Sequence, residues 1–398
     1  MFDTLSFIGT TLGTILGVLY VSSPIWLPIL LVGFFWSLWF DYIKRKGIAS
    51  REYILLEIRI PKEIKKSPAA MEVVFGAMTG SEGNWFKKYW KGETRAWYSL
   101  EIISIGGAIH FFIWLDKKSK NLLESQIYSQ YPGVEIYEVE DYTNGIFYDP
   151  EVNSLWGTEM ILTQPDPFPI KTYVDYGVAI DKDDSIDPMS ITLEYLGTLQ
   201  EGQQAWIQIM VRSQVKENDK DAWKEEAKKQ IEKILEGAKL KGAGDDPKTP
   251  KVASLSEDQK EQIKALEKST NKPGFQTGIR LVLFTDKDKF DATQIGGLLN
   301  TFKQYGSSNL NGFKPNNTTS VKFPWYDIWG KKVNKKKRNI LDAYKRRSYF
   351  HPPYKEKPFV LNTEELATIY HFPGRVVATP TIGRIASKKA EPPANLPI

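Results

Sequence analysis

Cysteine is absent from the 398 residues of this chain. That excludes disulfides, thiolate metal sites and cysteine nucleophiles, and it fits a reducing compartment. Histidine is nearly absent: His110, His351 and His371 are the complete set, too dispersed to suggest a histidine metal centre. No G-x-x-x-x-G-K-[ST] phosphate loop and no G-x-S-x-G elbow occurs anywhere. The paired carboxylates Asp183-Asp184 and Asp245-Asp246 fall in turn or linker sequence, where such pairs are usually solvated. His110 alternates with Phe112 and Trp114 along a strand pattern, which favours a structural role. The expectation is a non-enzymatic protein with no catalytic, cofactor or metal site.

Charge is also missing, locally, from Thr4 through Phe40. As one helix this run would measure about 55 Å, against a hydrocarbon core of about 30 Å. Ser22-Ser23-Pro24 offers a break, so two arrangements stay open. One is a hairpin of two spans, over 5–21 and 25–41; the other is one span near 25–42 after an interfacial segment. Gly9, Gly13 and Gly17 form a small-residue stripe, a candidate for close helix packing in lipid. A cleaved signal peptide would need a basic n-region, and Asp3 is the only early charge. Trp36, Trp39 and Tyr42 make an aromatic belt, and Lys44, Arg45, Lys46 and Arg51 follow it. By the positive-inside rule the chain beyond is expected in the cytoplasm, anchored in the inner membrane.

Overall, 41% of residues are hydrophobic and 25% charged, so the body is folded. "YILLEIRIP" alternates Ile54, Leu56, Ile58 and Ile60 as a strand. Ser67-Pro68 opens a helix carrying Met71, Val74, Phe75 and Met78. Gly106-Gly107 joins two apolar runs, a hairpin signal. A helix over 118–130 and the strand "VEIYEVE" complete β-α-β-β-α-β, the ferredoxin-like order. A stretched second copy is expected. Its strands lie near 156–163 and 170–179, 204–213 and 275–285, and its helices begin at Asp187-Pro188 and Asp291. Two charged helices, near 219–237 and 256–270, interrupt it, with "KGAGDDPKTPK" as a loop between them.

The fold class expected is therefore α+β, with a transmembrane anchor and two ferredoxin-like domains. The divisions are anchor 1–43, domain 52–142, domain 152–325 with a helical insertion over 216–273, basic segment 326–358, and helix with Pro-rich tail 359–398.

The basic segment "KKVNKKKRNILDAYKRRSYFHPPYKEK" is the strongest compositional feature. Its candidate nucleic-acid-binding cations are Lys331, Lys332, Lys335, Lys336, Lys337, Arg338, Lys345, Arg346 and Arg347. Tyr344, Tyr349, Phe350 and Tyr354 are interleaved, a mixture suited to phosphate contacts and base stacking. An anionic-lipid contact or a solvated connector are the other readings. Beyond it, Asn362 with Glu365 forms a capping box before Leu366, Ile369, Tyr370 and Phe372. That apolar face needs a cover, supplied either by the chain's own core or by a partner.

Four stretches carry a resemblance: "LLEIRIPKEIKKSPAAMEVVF", "WYSLEIISIGGAIHFFIW", "ESQIYSQYPGVEIYEVEDY" and "FVLNTEELATIYHFPG". They resemble an uncharacterised bacterial membrane-anchored family that forms the N-terminal region of, or a companion to, DNA-translocating ATPases of the type IV secretion and HerA/FtsK kind. In fused relatives a tail like "KKAEPPANLPI" leads into an ATPase core; here the sequence stops at Ile398, and no nucleotide-binding residue carries over. The resemblance implies an adapter docking a separate ATPase, with non-specific DNA contact and a homo-oligomer as further partners. A free-standing tether or a truncated fused ATPase are the alternatives. The topology is testable in this cysteine-free chain. A Ser81→Cys variant should react with a membrane-impermeant thiol reagent only after lysis, and labelling in intact cells would place the body outside.

Overall fold

Serine can supply what proline removes. In the computed structural model, which describes residues 2–61, 66–80, 85–177, 187–214, 222–242, 255–320 and 324–374, the first helix, α1 (Phe2–Ala49), runs unbroken through Pro24 and Pro28. Pro24 has no N–H for the Tyr20 carbonyl, and the Ser23 hydroxyl donates to that carbonyl at 2.7 Å instead. The Ser22 hydroxyl donates to Val18 O at 2.7 Å and the Trp26 indole to Leu19 O at 3.1 Å. The expected break at Ser22-Ser23-Pro24 is therefore absent and the hairpin does not form. Among the described residues one helix, over Gly13–Ala49, is long and apolar enough to cross a membrane. Its 48 residues span about 72 Å, more than twice a hydrocarbon core. Gly13 and Gly17 have open space where a side chain would sit, and Gly9 lies on the same helix.

Two compact units partition the chain: residues 1–52 with 82–95, and residues 53–81 with 96–398. In the first, α1 is joined by a short helix contributed from further along the sequence, described below.

The second unit is mixed α and β, built, among the described residues, on one nine-stranded antiparallel sheet. Its elements in order are β1 (Tyr53–Arg59), α2 (Ala69–Ala77), then, after α3 (Trp85–Trp90) of the first unit, β2 (Trp97–Ile105), β3 (Ala108–Asp116), α4 (Lys120–Gln130) and β4 (Glu135–Val139). There follow β5 (Asn153–Leu162), α5 (Ser190–Gly197), β6 (Gln203–Ser213), α6 (Ala222–Gly242), α7 (Glu257–Thr270), β7 (Gly274–Asp286), α8 (Ala292–Lys303) and β8 (Phe313–Asn316). The chain closes with α9 (Lys331–Lys345), β9 (Phe359–Asn362) and α10 (Thr363–Ile369). Strand order is β4-β1-β3-β2-β6-β7-β5-β8, with β9 also on β7. The sheet thus runs uninterrupted across the segments 52–142 and 152–325, joined where β2 pairs β6 from Trp97↔Arg212 to Ile105↔Gln204.

Most expected elements form, including the Gly106-Gly107 hairpin, whose glycines take the positive φ such a turn requires. The strand expected over 170–179 does not form in residues 170–177, and 178–179 lie outside the described residues. Its backbone donors are taken elsewhere: Ile170 N–H goes to the Glu365 carboxylate, Lys171 N–H to Tyr305 O, and Tyr173 N–H to the Thr368 hydroxyl. The loop "KGAGDDPKTPK" from 243 onward, the pairs Asp183-Asp184 and Asp245-Asp246, and the tail beyond Gly374 also lie outside the described residues.

One sheet face is covered by α2, α4, α5, α8 and α10. Ile54, Leu56 and Ile58 of β1 meet Met71, Val74 and Phe75 of α2 in that core. The capping box of α10 is present: Glu365 N–H donates to Asn362 Oδ1 at 2.9 Å, and Asn362 N–H to the Glu365 carboxylate at 2.8 Å. Yet α10 is no exposed docking helix. Leu366, Ile369, Tyr370 and Phe372 are all buried in the chain's own core, Tyr370 and Phe372 against Phe111. The expectation that a partner covers this face is corrected, because the sheet and α2 already do. Burial also pushes the Glu365 carboxyl up to about 8, even though it accepts two backbone N–H groups. Leu366→Ala should cost about 2–5 kcal/mol of unfolding free energy. An unchanged urea midpoint would return this helix to the surface.

Candidate nucleic-acid interface

Helix α9 divides its residues by face. Ile340, Leu341, Ala343 and Tyr344 are buried, and Ile340, Leu341 and Tyr344 pack with Ile103, Trp206, Val282 and Leu155 on the sheet face opposite the helical layer. Apolar contacts spaced three and four residues apart fix one side of the helix, and the lysines take the other. Its N-terminus is closed by Asp327, whose carboxylate accepts Lys332 N–H at 3.1 Å and Val333 N–H at 2.8 Å. These bonds hold the Asp327 carboxyl below the usual range.

The nine candidate cations separate accordingly. Lys331, Lys332, Lys335, Lys336 and Arg338 are exposed along the outer face. Lys337 is half-buried over the Tyr148 ring at 5.4 Å, and burial lowers its pKa. Lys345 donates to Ile146 O at 3.0 Å and lies over the Phe147 ring. Arg346 is exposed and bonded to Asp342 at 2.8 Å, one helical turn away.

Arg347 does not belong with them. Its guanidinium is buried, pairing with Glu101 (Nε–Oε1 3.0 Å) and with Asp141, so it is a structural cation unavailable to phosphate. The interleaved aromatics are corrected too: Tyr344, Tyr349 and Phe350 are buried and cannot stack on bases. Tyr349 lies against Gly278, where any side chain would collide with its ring. Tyr354 alone of the four is partly exposed. Exposed rings are found instead just ahead of α9, in a turn the sequence did not single out. Trp325 and Trp329 are 72% and 82% exposed, with Ile328 between them at 81%.

Beneath α9 runs a polar row that crosses the sheet in register: Glu101 of β2, Gln208 of β6, Arg280 of β7 and Glu159 of β5. All four are buried. Glu101 accepts from Ser99, Gln208, Tyr142 and, through both oxygens, Arg347. Arg280 pairs with Glu159 at 2.9 Å and donates to Ala343 O, while Gln208 donates to Tyr344 O. The last carbonyls of α9 are thereby satisfied by the sheet, with cations where the helix dipole favours them. Burial raises the Tyr142 and Tyr344 hydroxyls well above their ordinary range. Burial also pulls the Asp141 carboxyl up, but the Arg347 guanidinium outweighs it and leaves that pKa lowered. The signal for this row was present as Glu101, the one charged residue in the mostly apolar "WYSLEIISI", since a carboxylate in a buried strand requires a cation.

Little else in the described residues is built for chemistry. No three metal-capable side chains converge there. A surface dent lined by Val74, Met78, Tyr98, Leu122 and Leu123, among others, has essentially no interior room even for a water molecule, far short of a ligand site. His110 meets Glu57 at 3.0 Å, and His371 is buried against Asp187 at 3.0 Å.

Removing one partner of a buried pair costs more than removing both. Arg347→Met should therefore destabilise by about 3–5 kcal/mol, and adding Glu101→Leu should recover part of that loss. Equal effects of Arg347→Met with and without Glu101→Leu, in denaturant unfolding, would contradict the pairing.

No curated protein matches this sequence. Residues 46–384 match the family described as Domain of unknown function (DUF8128), which takes in β1 through α10 and the basic helix. The chain belongs to that family.

Proposed function

We propose that this protein is a membrane-anchored, non-enzymatic scaffold that binds nucleic acid without sequence preference through the outer face of α9. The observation that carries the reading is the exposed set Lys331, Lys332, Lys335, Lys336 and Arg338 beside the exposed rings of Trp325 and Trp329. Cations suit the phosphate backbone, and exposed indoles suit the faces of unpaired bases. With the inner face of α9 fixed on the sheet, the outer face is held in a rigid presentation. We read both halves of the sheet as ferredoxin-like units fused edge to edge. In support, each half repeats the order 4-1-3-2 when its strands are numbered separately.

The apolar α1 supports anchoring, and Lys44, Arg45 and Lys46 after its aromatic belt support a cytoplasmic body on the inner membrane. The resemblance to regions accompanying DNA-translocating ATPases suggests the motor that such a scaffold would serve. With α10 buried, an ATPase would dock on another surface.

The test uses the full chain in nanodiscs of phosphatidylcholine, whose neutral surface leaves the cations open, and fluorescein-labelled single-stranded DNA. Anisotropy should show binding that weakens steeply with salt. Changing Lys331, Lys332, Lys335 and Lys336 to Gln should weaken it at least tenfold and flatten the salt slope by up to about 3. Absence of binding, or equal affinity in the variant, would remove nucleic acid as the ligand. Binding transferred to anionic vesicles would assign the face to lipid.

A further inference from the structure

Helix α3 lies between α2 and β2 in sequence, yet residues 82–95 group with α1 and not with the sheet. Six residues, "WFKKYW", place aromatic side chains against the aromatic belt of α1. Tyr89 stacks on Phe40 at 4.8 Å and on Trp36 at 6.3 Å, and Trp90 meets Trp39 edge-on at 6.3 Å. Behind this contact the two backbones touch. A Cβ on Gly47 would lie 2.3 Å from the Gly92 carbonyl oxygen, and one on Gly92 would lie 2.0 Å from that of Ile43. Gly92 also has φ +66°, a conformation glycine adopts without strain. The Arg51 guanidinium donates to Thr94 O and completes the clasp.

The composition of this collar suits one environment. Phe86 and Trp90 remain about half exposed after the stacking. Lys87 and Lys91 are exposed beside them, and Arg45 and Lys46 are exposed on α1 one to two turns past the belt. Indole and phenol rings with lysines just beyond an apolar helix match the boundary between acyl chains and phosphate headgroups.

We propose that α3 is a second membrane element, an interfacial collar inserted among phospholipid headgroups and clasped to α1 through Gly47 and Gly92. The collar fixes the depth at which α1 sits. With the interface at Trp36–Tyr42, about 20 residues of α1 on the N-terminal side, as far as Tyr20, fill the hydrocarbon core. The proposal rests on α1 being a span, and the test separates the two.

Because the chain lacks cysteine, Phe86→Cys and Leu31→Cys each accept a single environment-sensitive nitrobenzoxadiazole label. The labelled full chain is reconstituted in nanodiscs containing phosphatidylcholine with a nitroxide at carbon 5 or carbon 12 of the acyl chain. The label at 31 should be quenched by both, which reports the span. The label at 86 should be quenched at least twofold more by the shallow nitroxide than by the deep one, and little by aqueous iodide. Gly47→Ala should reduce quenching at 86 at least twofold while leaving that at 31 unchanged. Alanine favours helix, so melting of α1 would not explain the loss. Gly92→Ala should act alike from the other side of the clasp.

A label at 86 open to iodide and untouched by lipid nitroxides, with 31 quenched, would overturn the collar and leave the span. A blue-shifted label at 86 protected from both quenchers would mean protein covers α3, and would also overturn it. An unquenched label at 31 would remove the span and the collar together.

Discussion

The Glu101 carboxylate sits in the middle of a nine-stranded sheet, at the one strand pair that joins its halves, with no access to water. A bare carboxylate there would be untenable, and four side chains donate five hydrogen bonds to it, two of them from Arg347. Ser99 lies on the same strand, whereas Tyr142, Gln208 and Arg347 come from distant parts of the chain and are thereby placed. Gln208 fixes the register of β2 on β6, because a slip of one residue would turn either side chain to the opposite face. Arg347 fixes the segment after α9, and through Asp141 the segment after β4. Tyr142 joins Glu101 to the Tyr344 hydroxyl of α9. Such buried ionic groups contribute less to net stability than to selecting one arrangement among several that would bury similar apolar area.

The opposite face depends on α10 in a comparable way. Its seven residues are all buried, and its polar groups are bonded to elements distant in sequence. Lys272, following α7, contacts Glu72 of α2 at 2.6 Å and Glu364 of α10 at 2.7 Å, so one ammonium ties the first and last helices of this unit. Strand β9 takes up Gly274–Thr277 of β7, next to the stretch paired with β5. The C-terminal segment thus closes the core and extends the sheet together, and a helix too short to persist alone is held on every side.

These two arrangements explain the unequal fates of charges that look alike in sequence. Lys335 and Arg347 belong to one basic stretch, but Lys335 points to solvent and Arg347 neutralises a buried carboxylate. The helix period decides the first. The second follows from Arg347 lying just past the end of α9, where it meets the polar row.

Local order was legible from residue spacing. The period-2 pattern of β1, the Gly106-Gly107 turn, the Asn362–Glu365 capping box and the apolar run of α1 all act through neighbours a few residues apart. Tertiary structure decided what no local pattern holds. The strand expected near residue 170 was lost because Tyr305, just past α8, and side chains of α10 claimed its backbone donors. The break expected at Pro24 was lost because Ser23 repaired the hydrogen bond. Tyr344 and Tyr349 of the basic segment became core, because Gly278 leaves room for Tyr349 and the sheet covers Tyr344. In each case a group's partner lay far along the chain or was a side chain replacing a backbone donor. Sequence spacing therefore marked most of the helices and strands, while only the fold decided the segments near Pro24 and residue 170 and which faces are left exposed.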